Sequence, residues 1–228
     1  MSDQLNRLQM LIGDDKIAKL RNATVMVVGC GAVGSFAIES LARCGVGNII
    51  LVDFDTISET NINRQLFALH STLGIPKTLV ARERIADINP DINVTTFNIF
   101  WDENTTPNIH PDFVIDAIDS VESKIALYRW CNANDIPFIS SMGAARKTDP
   151  TKIRIAPISK TFACPLAARI RKIVRDSEIS DFPTAFSTET PAGAIAPNKA
   201  FGSIITVTGT FGLLMANYAI HYICFPNE

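Results

Sequence analysis

The feature that most constrains the fold is an apolar run that leads into a glycine-rich turn. Residues 25–28 are all apolar, and three glycines follow at G-x-G-x-x-G spacing: Gly29, Gly31 and Gly34. Residues 35–43 then carry apolar side chains at helical spacing, and a second apolar run ends in Asp53. A strand, a glycine turn, a helix and a second strand that ends in an acid are typical of a nucleotide-binding βαβ unit.

Each part of this unit has a predicted task. Gly29 permits the tight turn, Gly31 lets the backbone approach a phosphate, and Gly34 lets the helix pack closely on the strand. The N-terminus of the helix offers unpaired N–H groups and the positive end of its dipole to the phosphate. Asp53 lies where a carboxylate can accept hydrogen bonds from a ribose. The sequence therefore predicts a bound nucleotide.

Strand patterns alternate with helical patterns in the following residues. The predicted strands are 93–97, 113–119 and 137–140. A helix is predicted after Ile75-Pro76, over 77–88, with the proline taken as its first helical position, and a second helix is predicted over 120–133. Such alternation predicts an α/β fold with a Rossmann-like, doubly wound, largely parallel sheet. Ligands of these sheets bind beyond the carboxyl ends of the strands, so we expect Asp53 and Asp119 near one crevice.

The pattern changes beyond Gly143, where we expect a mixed C-terminal extension of the same sheet. It comprises a half-exposed strand at 152–156, a basic helix at 165–176, a Thr/Pro/Ala-rich loop at 187–201 and an apolar segment at 202–225. We predict a single domain over 1–228, with an N-terminal helical segment (1–22), a nucleotide-binding core (23–143) and this extension (144–228).

Charge and cysteine content limit the classes of protein that fit. The net charge of −2 gives no global basic signature, so any contact with nucleic acid must be local. The five cysteines form no C-x-x-C pair, which argues against a structural zinc site and for free thiols in a reducing compartment. We expect a cytoplasmic protein, since the N-terminus lacks a signal-peptide pattern. Residues 202–225 contain no charged side chain, so they fit either a buried helix, which we favour, or membrane contact.

The residues after the second strand favour a nucleoside triphosphate over a dinucleotide. Asn61, Asn63 and Arg64 lie just past that strand, where a triphosphate on the glycine turn would project, and Lys77 heads the next helix. Two cations and a carboxylate that can hold Mg²⁺, Asp119, are the equipment that adenylation of a carboxylate needs. The plainer alternatives are a solvated cation at Arg64 and turn-forming asparagines.

These segments together resemble a known group of enzymes. The residues that carry the resemblance are Gly29–Gly34, Val52–Asp55, Asn61–Gln65, Pro76–Lys77 and Asp116–Asp119. This ordered set resembles the ubiquitin-activating-like (ThiF/MoeB/HesA) superfamily of adenylating enzymes. Within it, residues 116–121, 160–161, 165–168 and 186–189 are similar to the tRNA threonylcarbamoyladenosine dehydratase branch, whereas the MoeB and ThiF branches usually carry paired zinc cysteines.

The resemblance implies an activity and a set of residues for it. Enzymes of this branch use ATP to adenylate the carboxylate of N6-threonylcarbamoyladenosine in tRNA, and the adenylate then cyclises. The implied catalytic residues are Arg64, Lys77, Asp119 and, across a homodimer, Arg7. The implied nucleotide-binding residues are Gly29, Gly31, Ala32, Gly34, Asp53, Asp55, Asn61, Asn63, Arg64, Lys77, Asp119 and Ser120, with Mg²⁺ at Asp119. Asp55 fits either ribose binding or a loop cap, and Asp116 fits a structural role.

Several alternatives stay open at this point. An enzyme that adenylates the C-terminal glycine of a ubiquitin-like sulfur carrier would share the nucleotide site. A nucleotide-sensing scaffold and a dehydrogenase fit less well, and the partners left open include a sulfur-relay protein. Cys164 is a weak candidate for a thiol that takes over the acyl group. The basic residues of the second half fit a solvated face or a tRNA-phosphate surface, whose predicted contacts are Lys160, Arg169, Arg171 and Lys172.

Overall fold

The computed structural model describes residues 3–192 and 201–226 and contains one seven-stranded sheet. Its strands are β1 Thr24–Val28, β2 Asn48–Val52, β3 Asn93–Phe97, β4 Phe113–Asp116, β5 Phe138–Ser141, β6 Ile153–Pro157 and β7 Pro183–Ser187. They lie in the order β3-β2-β1-β4-β5-β7-β6, and all neighbours are parallel except β6 and β7. The predicted doubly wound sheet with a mixed C-terminal extension is confirmed.

Seven α-helices accompany the sheet in the described part of the chain. They are α1 Asn6–Ile12, α2 Asp14–Asn22, α3 Gly34–Arg43, α4 Lys77–Ile88, α5 Val121–Ala133, α6 Pro165–Arg175 and α7 Ile205–Cys224. Short 3₁₀ turns lie at 3–5, 59–61, 70–72, 150–152 and 158–160. The helical segment predicted before β1 is therefore two helices, which meet at Gly13.

Strand β1 lies inside the sheet between β2 and β4, and its side chains alternate between two hydrophobic cores. Val25 and Val27 pack in a core with α3, α4 and α7, whereas Met26 and Val28 pack in a core with α5 and α6. All four are buried, because helices cover both faces of the sheet. This two-sided burial explains why β1 is a continuous apolar run rather than an alternating one.

The long apolar segment near the C-terminus is a core helix, as we favoured. Val207, Phe211 and Met215 of α7 are fully buried. A Cβ at Gly212 would lie 2.2 Å from the carbonyl oxygen of Val33, so this glycine lets α7 approach α3 closely. Within the residues that the structure describes, no helix has the length and apolarity that crossing a membrane requires.

Some element boundaries differ from the predicted ones. The β4 strand ends at Asp116, and residues 117–119 form a turn rather than more strand. Pro76 is the N-cap of α4 instead of its first residue, so Lys77 takes the first position. Strand β7 was not predicted. Residues 193–200 of the predicted loop lie outside the described residues.

Candidate nucleotide site

The glycine turn after β1 has a backbone that only glycine can adopt at two positions. Gly29 has a φ of 95°, and a Cβ there would lie 2.6 Å from the carbonyl oxygen of Ala117. A Cβ at Gly34 would lie 1.7 Å from the carbonyl oxygen of Gly29. The predicted roles of Gly29 and Gly34 are thus visible in the structure. A Cβ at Gly31 would make only an ordinary van der Waals contact, since its nearest neighbour would be the side chain of Gln65, 3.7 Å away.

Asp53 is buried beside this turn at the carboxyl end of β2. Its Oδ2 accepts a 2.7 Å hydrogen bond from the backbone N–H of Cys30, and its Oδ1 accepts a 2.8 Å bond from that of Asp55. Burial raises the pKa of Asp53 above its ordinary value, although Lys77 and the two N–H donors act in the opposite direction. The carboxylate is therefore held rigidly next to the glycine turn.

Lys77 begins α4 and is 6% exposed. Its Nζ lies 2.6 Å from Asp55 Oδ2 and 3.9 Å from Asp53 Oδ1. The N-terminus of a helix is an unfavourable place for a cation, so the two carboxylates compensate for its position. The side chain of Asp55 is 47% exposed, so one side of this ion pair faces solvent. A phosphate that enters from that side can take the place of Asp55 as the partner of Lys77.

The loop between β2 and α4 contains the predicted phosphate-binding residues, within a turn at residues 58–64. Asn61 is buried and its Oδ1 accepts a 3.1 Å bond from the N–H of Ser58, so it does form the turn. Arg64 donates to the carbonyl oxygen of Thr60 at 2.6 Å and to Asn63 Oδ1 at 2.9 Å. Asn63 Nδ2 in turn donates to the carbonyl oxygen of Ser203, 3.4 Å away. Arg64 is thus held by its own turn.

The two aspartates after β4 have opposite environments. Asp116 is fully buried, which agrees with its predicted structural role, whereas Asp119 is exposed on the following turn. Ser120 caps α5 by accepting a 3.3 Å bond from the N–H of Ser123, so its hydroxyl is already engaged. Among the described residues, no cluster of three or more His, Cys, Asp or Glu side chains could hold a metal ion. Mg²⁺ at Asp119 would need phosphate oxygens as further ligands, which is its usual mode of binding.

The predicted tRNA-contacting cations of α6 border two different cavities. Arg169 lies 3.4 Å from Glu122 and borders a cavity of about 440 Å³ between α5, α6 and residues 100–104. Arg171 and Lys172 line a different cavity of about 670 Å³. Arg171 also donates to the carbonyl oxygen and Oγ1 of Thr161, each at 2.7 Å, whereas Lys160 and Lys172 are exposed.

The remaining candidates are Arg7 and Cys164. Arg7 is exposed on α1, a helix that packs on α2 and has no buried residue. Cys164 is 5% exposed, and none of the five cysteines forms a disulfide. Burial, followed by the nearby charge of Asp53, raises the pKa of the Cys30 thiol well above its ordinary value. Cys30 is thus a buried, inert residue of the glycine turn.

The sequence analysis missed a polar network beneath the site. Lys124, Tyr128 and Ser140 all contact Asp116 and are buried, the first two on α5 and the last on β5. A signal exists in the sequence, because Lys124 and Tyr128 are four residues apart on an otherwise apolar helix face. Gln65, buried opposite Gly31, was also missed as a side chain next to the turn.

Comparison with known proteins gives the same assignment over most of the chain. The model of the ThiF family matches residues 2–228. The tRNA threonylcarbamoyladenosine dehydratase of Bacillus subtilis is 48% identical over 195 residues, which are 84% of this chain and 77% of that protein. A molybdopterin-synthase adenylyltransferase of Haemophilus influenzae is 41% identical, but over only 56% of this chain and 52% of its own length.

A solved structure extends the likeness to three dimensions. The crystal structure of E. coli tRNA N6-threonylcarbamoyladenosine dehydratase, TcdA, in complex with ATP superimposes with a TM-score of 0.90 at 35% identity. The match covers 97% of this chain and 93% of the E. coli chain. The family model, the relatives and the shared fold all point to a nucleotide-binding protein, as do the glycine turn and the acid at the end of β2. This chain belongs to the ThiF family.

Proposed function

We propose that this protein is an ATP-dependent tRNA threonylcarbamoyladenosine dehydratase. The observation that carries the proposal is the combination of the 48% identity to the Bacillus subtilis dehydratase with a complete nucleotide-binding turn. The enzyme adenylates the carboxylate of N6-threonylcarbamoyladenosine in tRNA and then closes it to the cyclic form. It uses ATP, which the E. coli structural neighbour binds.

Different residues of the site bind different parts of the nucleotide. The N-terminus of α3 offers N–H groups to the phosphates, and its glycines leave room for them. Asp53, fixed by its two N–H donors, accepts hydrogen bonds from the ribose hydroxyls. Lys77 exchanges Asp55 for a phosphate oxygen, since Asp55 is the exposed member of the pair. Arg64 and Asn61 lie on the next turn and bind the outer phosphates.

The proposed chemistry needs charge neutralisation more than a protein base. A carboxylate oxygen of the substrate attacks the α-phosphorus, and pyrophosphate leaves with the electron pair of the broken P–O bond. Lys77 and Arg64 stabilise the negative charge that develops on the phosphates. An internal nitrogen of the same nucleoside then attacks the acyl carbon and loses its proton, and AMP leaves with one carboxylate oxygen. The net change in the nucleoside is the loss of one water. The first step needs no base, because a carboxylate is already a nucleophile.

Asp119 completes the proposed site as the residue that holds Mg²⁺. It is exposed on the turn after β4, which contacts the glycine turn through Ala117. One carboxylate together with substrate phosphates is a common way to bind this ion. The ion, when bound, supplies positive charge to the leaving pyrophosphate.

The proposal includes a homodimer in which Arg7 acts across the interface. Helix α1 supports this, because it has no buried residue and exposes Met10 and Leu11 at 86% and 79%. Apolar side chains at that exposure favour burial against another surface. Mixing Arg7→Ala subunits with Lys77→Ala subunits should restore part of the activity, because some sites of the mixed dimer then carry neither change. No recovery after subunit exchange would contradict a shared site.

Exposed cations of the second half of the chain supply the proposed tRNA contacts. Lys160 and Lys172 are exposed and suit contacts to the phosphate backbone, and Arg169 borders the cavity between α5 and α6. Arg171 suits this role less, because its guanidinium is bonded to Thr161. A cytoplasmic location and a sulfur-relay partner remain predictions.

The direct test is conversion of threonylcarbamoyl-modified tRNA with ATP, followed by mass spectrometry of the nucleosides. The expected product is the modified nucleoside minus one water, and its formation is strongly slowed in Lys77→Ala and in Asp119→Ala. The alternative is activation of a sulfur carrier that ends in Gly-Gly. The observation that favours it is the match to the molybdopterin-synthase adenylyltransferase, which covers less of the chain. Pyrophosphate exchange that depends on such a carrier, without conversion of the tRNA, would support that alternative instead.

A further inference from the structure

A charged network lies directly beneath the turn that carries Asp119. Asp116 and Lys124 have fully buried side chains, and Lys124 Nζ lies 2.7 Å from Asp116 Oδ2. The same oxygen lies 2.8 Å from the hydroxyl of Tyr128 and 2.6 Å from that of Ser140. Burial, together with the charge of Asp116, holds the pKa of the Tyr128 phenol well above its ordinary value, so it stays protonated and can donate.

The second oxygen of Asp116 reaches the backbone of the turn. Asp116 Oδ1 accepts a 3.0 Å hydrogen bond from the N–H of Ile118, the residue before Asp119. The N–H of Ala117 donates to the carbonyl oxygen of Val28 at 2.8 Å, and the Ala117 carbonyl lies against Gly29. The buried carboxylate therefore fixes a turn that touches the glycine turn on one side and presents Asp119 on the other.

Lys124 connects this turn to two further elements. Its Nζ donates to the carbonyl oxygen of Ser141, 2.8 Å away at the carboxyl end of β5. Lys124 itself belongs to α5, the helix that begins just after Asp119. One ammonium group thus joins the carboxyl ends of β4 and β5 to the first turns of α5.

Stability alone is a weak reason for such a pair. Two buried opposite charges recover little more than the cost of removing them from water, and apolar residues of the same volume are often as stable. A buried, fully bonded group does restrict its neighbours to one arrangement. A turn that must hold a carboxylate for a metal–nucleotide complex benefits from that restriction.

We propose that Asp116 and Lys124 are positioning residues of the adenylation reaction, which set the place of Asp119 relative to the glycine turn. This inference rests on the proposed function for its reaction, but its effect on nucleotide binding is independent of the acyl substrate. Neither residue touches the nucleotide. Both act through the Ala117–Asp119 turn.

The test is the paired variant Asp116→Asn/Lys124→Met, which removes both charges and keeps the volume. Calorimetry gives ATP affinity with and without Mg²⁺, and single-turnover assays on modified tRNA give the rate of AMP formation. We expect Mg²⁺-free ATP affinity to stay unchanged and the gain in affinity with Mg²⁺ to be lost. We also expect the rate to fall roughly ten- to a hundredfold, the usual range for residues that orient a metal ligand. A folded variant with wild-type Mg²⁺ dependence and rate would overturn the proposal.

A matched control lies on the same helix. Arg129 of α5 forms an exposed ion pair with Glu103 at 2.6 Å, so Glu103→Gln/Arg129→Met removes a solvent-exposed pair and leaves the buried pair of Asp116 and Lys124 intact. We expect this control to retain the Mg²⁺ dependence and the rate, and an equal loss in it would overturn the proposal.

A milder variant keeps the test decisive if the paired variant does not fold. Tyr128→Phe/Ser140→Ala leaves the ion pair and removes two of the donors to Asp116. We expect a partial loss of the Mg²⁺-dependent gain in ATP affinity, and full retention would overturn the proposal. If the wild-type protein forms no AMP from modified tRNA, the proposed function fails, while the Mg²⁺ dependence of ATP binding still tests the positioning role.

Discussion

Two lysine–aspartate pairs lie on either side of strand β1, and they differ in access to solvent. Lys77 follows β2 and pairs with Asp55, whereas Lys124 follows β4 and pairs with Asp116. Both ammonium groups are buried, with side-chain exposures of 7% and 0%. Their partners differ, because the side chain of Asp55 is 47% exposed and that of Asp116 is 0% exposed.

This difference shows how the same two residue types take different roles. A ligand can displace Asp55 into water at little cost, so Lys77 is free to exchange its carboxylate for a phosphate. Asp116 cannot be displaced into water in this way, because the loss of its buried hydrogen-bond donors would cost several kilocalories per mole. The exposed pair therefore suits substrate binding and the closed pair suits positioning.

The largest expected effect separates the two pairs by chemistry. Lys77→Ala should lower the rate of adenylation by about a hundred- to a thousandfold, because it removes a cation that stabilises charge in the transition state. Lys77→Arg keeps the charge and should recover part of the rate. Single-turnover assays of AMP formation measure both variants. A rate within threefold of wild type for Lys77→Ala would contradict the catalytic role of Lys77.

The next effect separates the pairs by stability. Lys124→Ala should lower the free energy of unfolding by about 3–5 kcal/mol, because it leaves the Asp116 carboxylate buried without its cation. Lys77→Ala should cost less, since Asp55 faces water and Asp53 keeps its two N–H donors. Urea unfolding followed by circular dichroism gives both values, and the reverse order would contradict the assigned roles.

The pH dependence of ATP binding tests the open site. Burial raises the pKa of Asp53, so its proton returns at a higher pH than for an ordinary aspartate. Below that raised pKa the protonated group is a poorer acceptor for the ribose, and ATP should bind more weakly. Without nucleotide the sign is opposite, because the folded state binds this proton more tightly, and stability gains as pH falls from the raised pKa to the ordinary one.

Titration calorimetry across this range, with Asp53→Asn as the control, measures the effect on ATP binding. The control should bind ATP weakly at every pH. If the wild-type affinity stayed constant through the range while the control also bound normally, Asp53 would not be the ribose acceptor.

The smallest effect concerns α6, where an exposed and an engaged cation lie side by side. Lys172→Ala should weaken tRNA binding slightly and lower the slope of log affinity against log salt by about one. Arg171→Ala should act mainly on stability, by about 1 kcal/mol, since its guanidinium is bonded to Thr161. Filter binding at several salt concentrations and urea unfolding distinguish them. A larger salt effect for Arg171 than for Lys172 would reverse this assignment.

The sequence was sufficient for those parts of the molecule that local pattern determines. The glycine spacing predicted the turn at Gly29 and Gly34, and the apolar runs on either side predicted β1 and β2. Lys77 was predicted from its place at the head of the helix that follows the second strand. Most helix and strand bounds followed from periodicity to within a few residues.

The remaining features depend on contacts between distant segments. Strand β7 is Pro-Thr-Ala-Phe-Ser, which has little strand pattern, and it is a strand because β5 and β6 flank it. The environment of Lys124 depends on Ser140 and Ser141, which lie 16 and 17 residues away along the chain. The engagement of Arg171 by Thr161 likewise follows from how α6 packs.

The most direct test of the account follows one oxygen atom. The substrate tRNA is prepared with a heavy-oxygen label in the carboxylate of its threonylcarbamoyl group and converted with unlabelled ATP. Adenylation by attack on the α-phosphorus predicts that the label leaves in AMP, and that Lys77→Ala forms labelled AMP about a hundred- to a thousandfold more slowly. Label in inorganic phosphate, or conversion that transfers no label to AMP, would contradict adenylation as the central step.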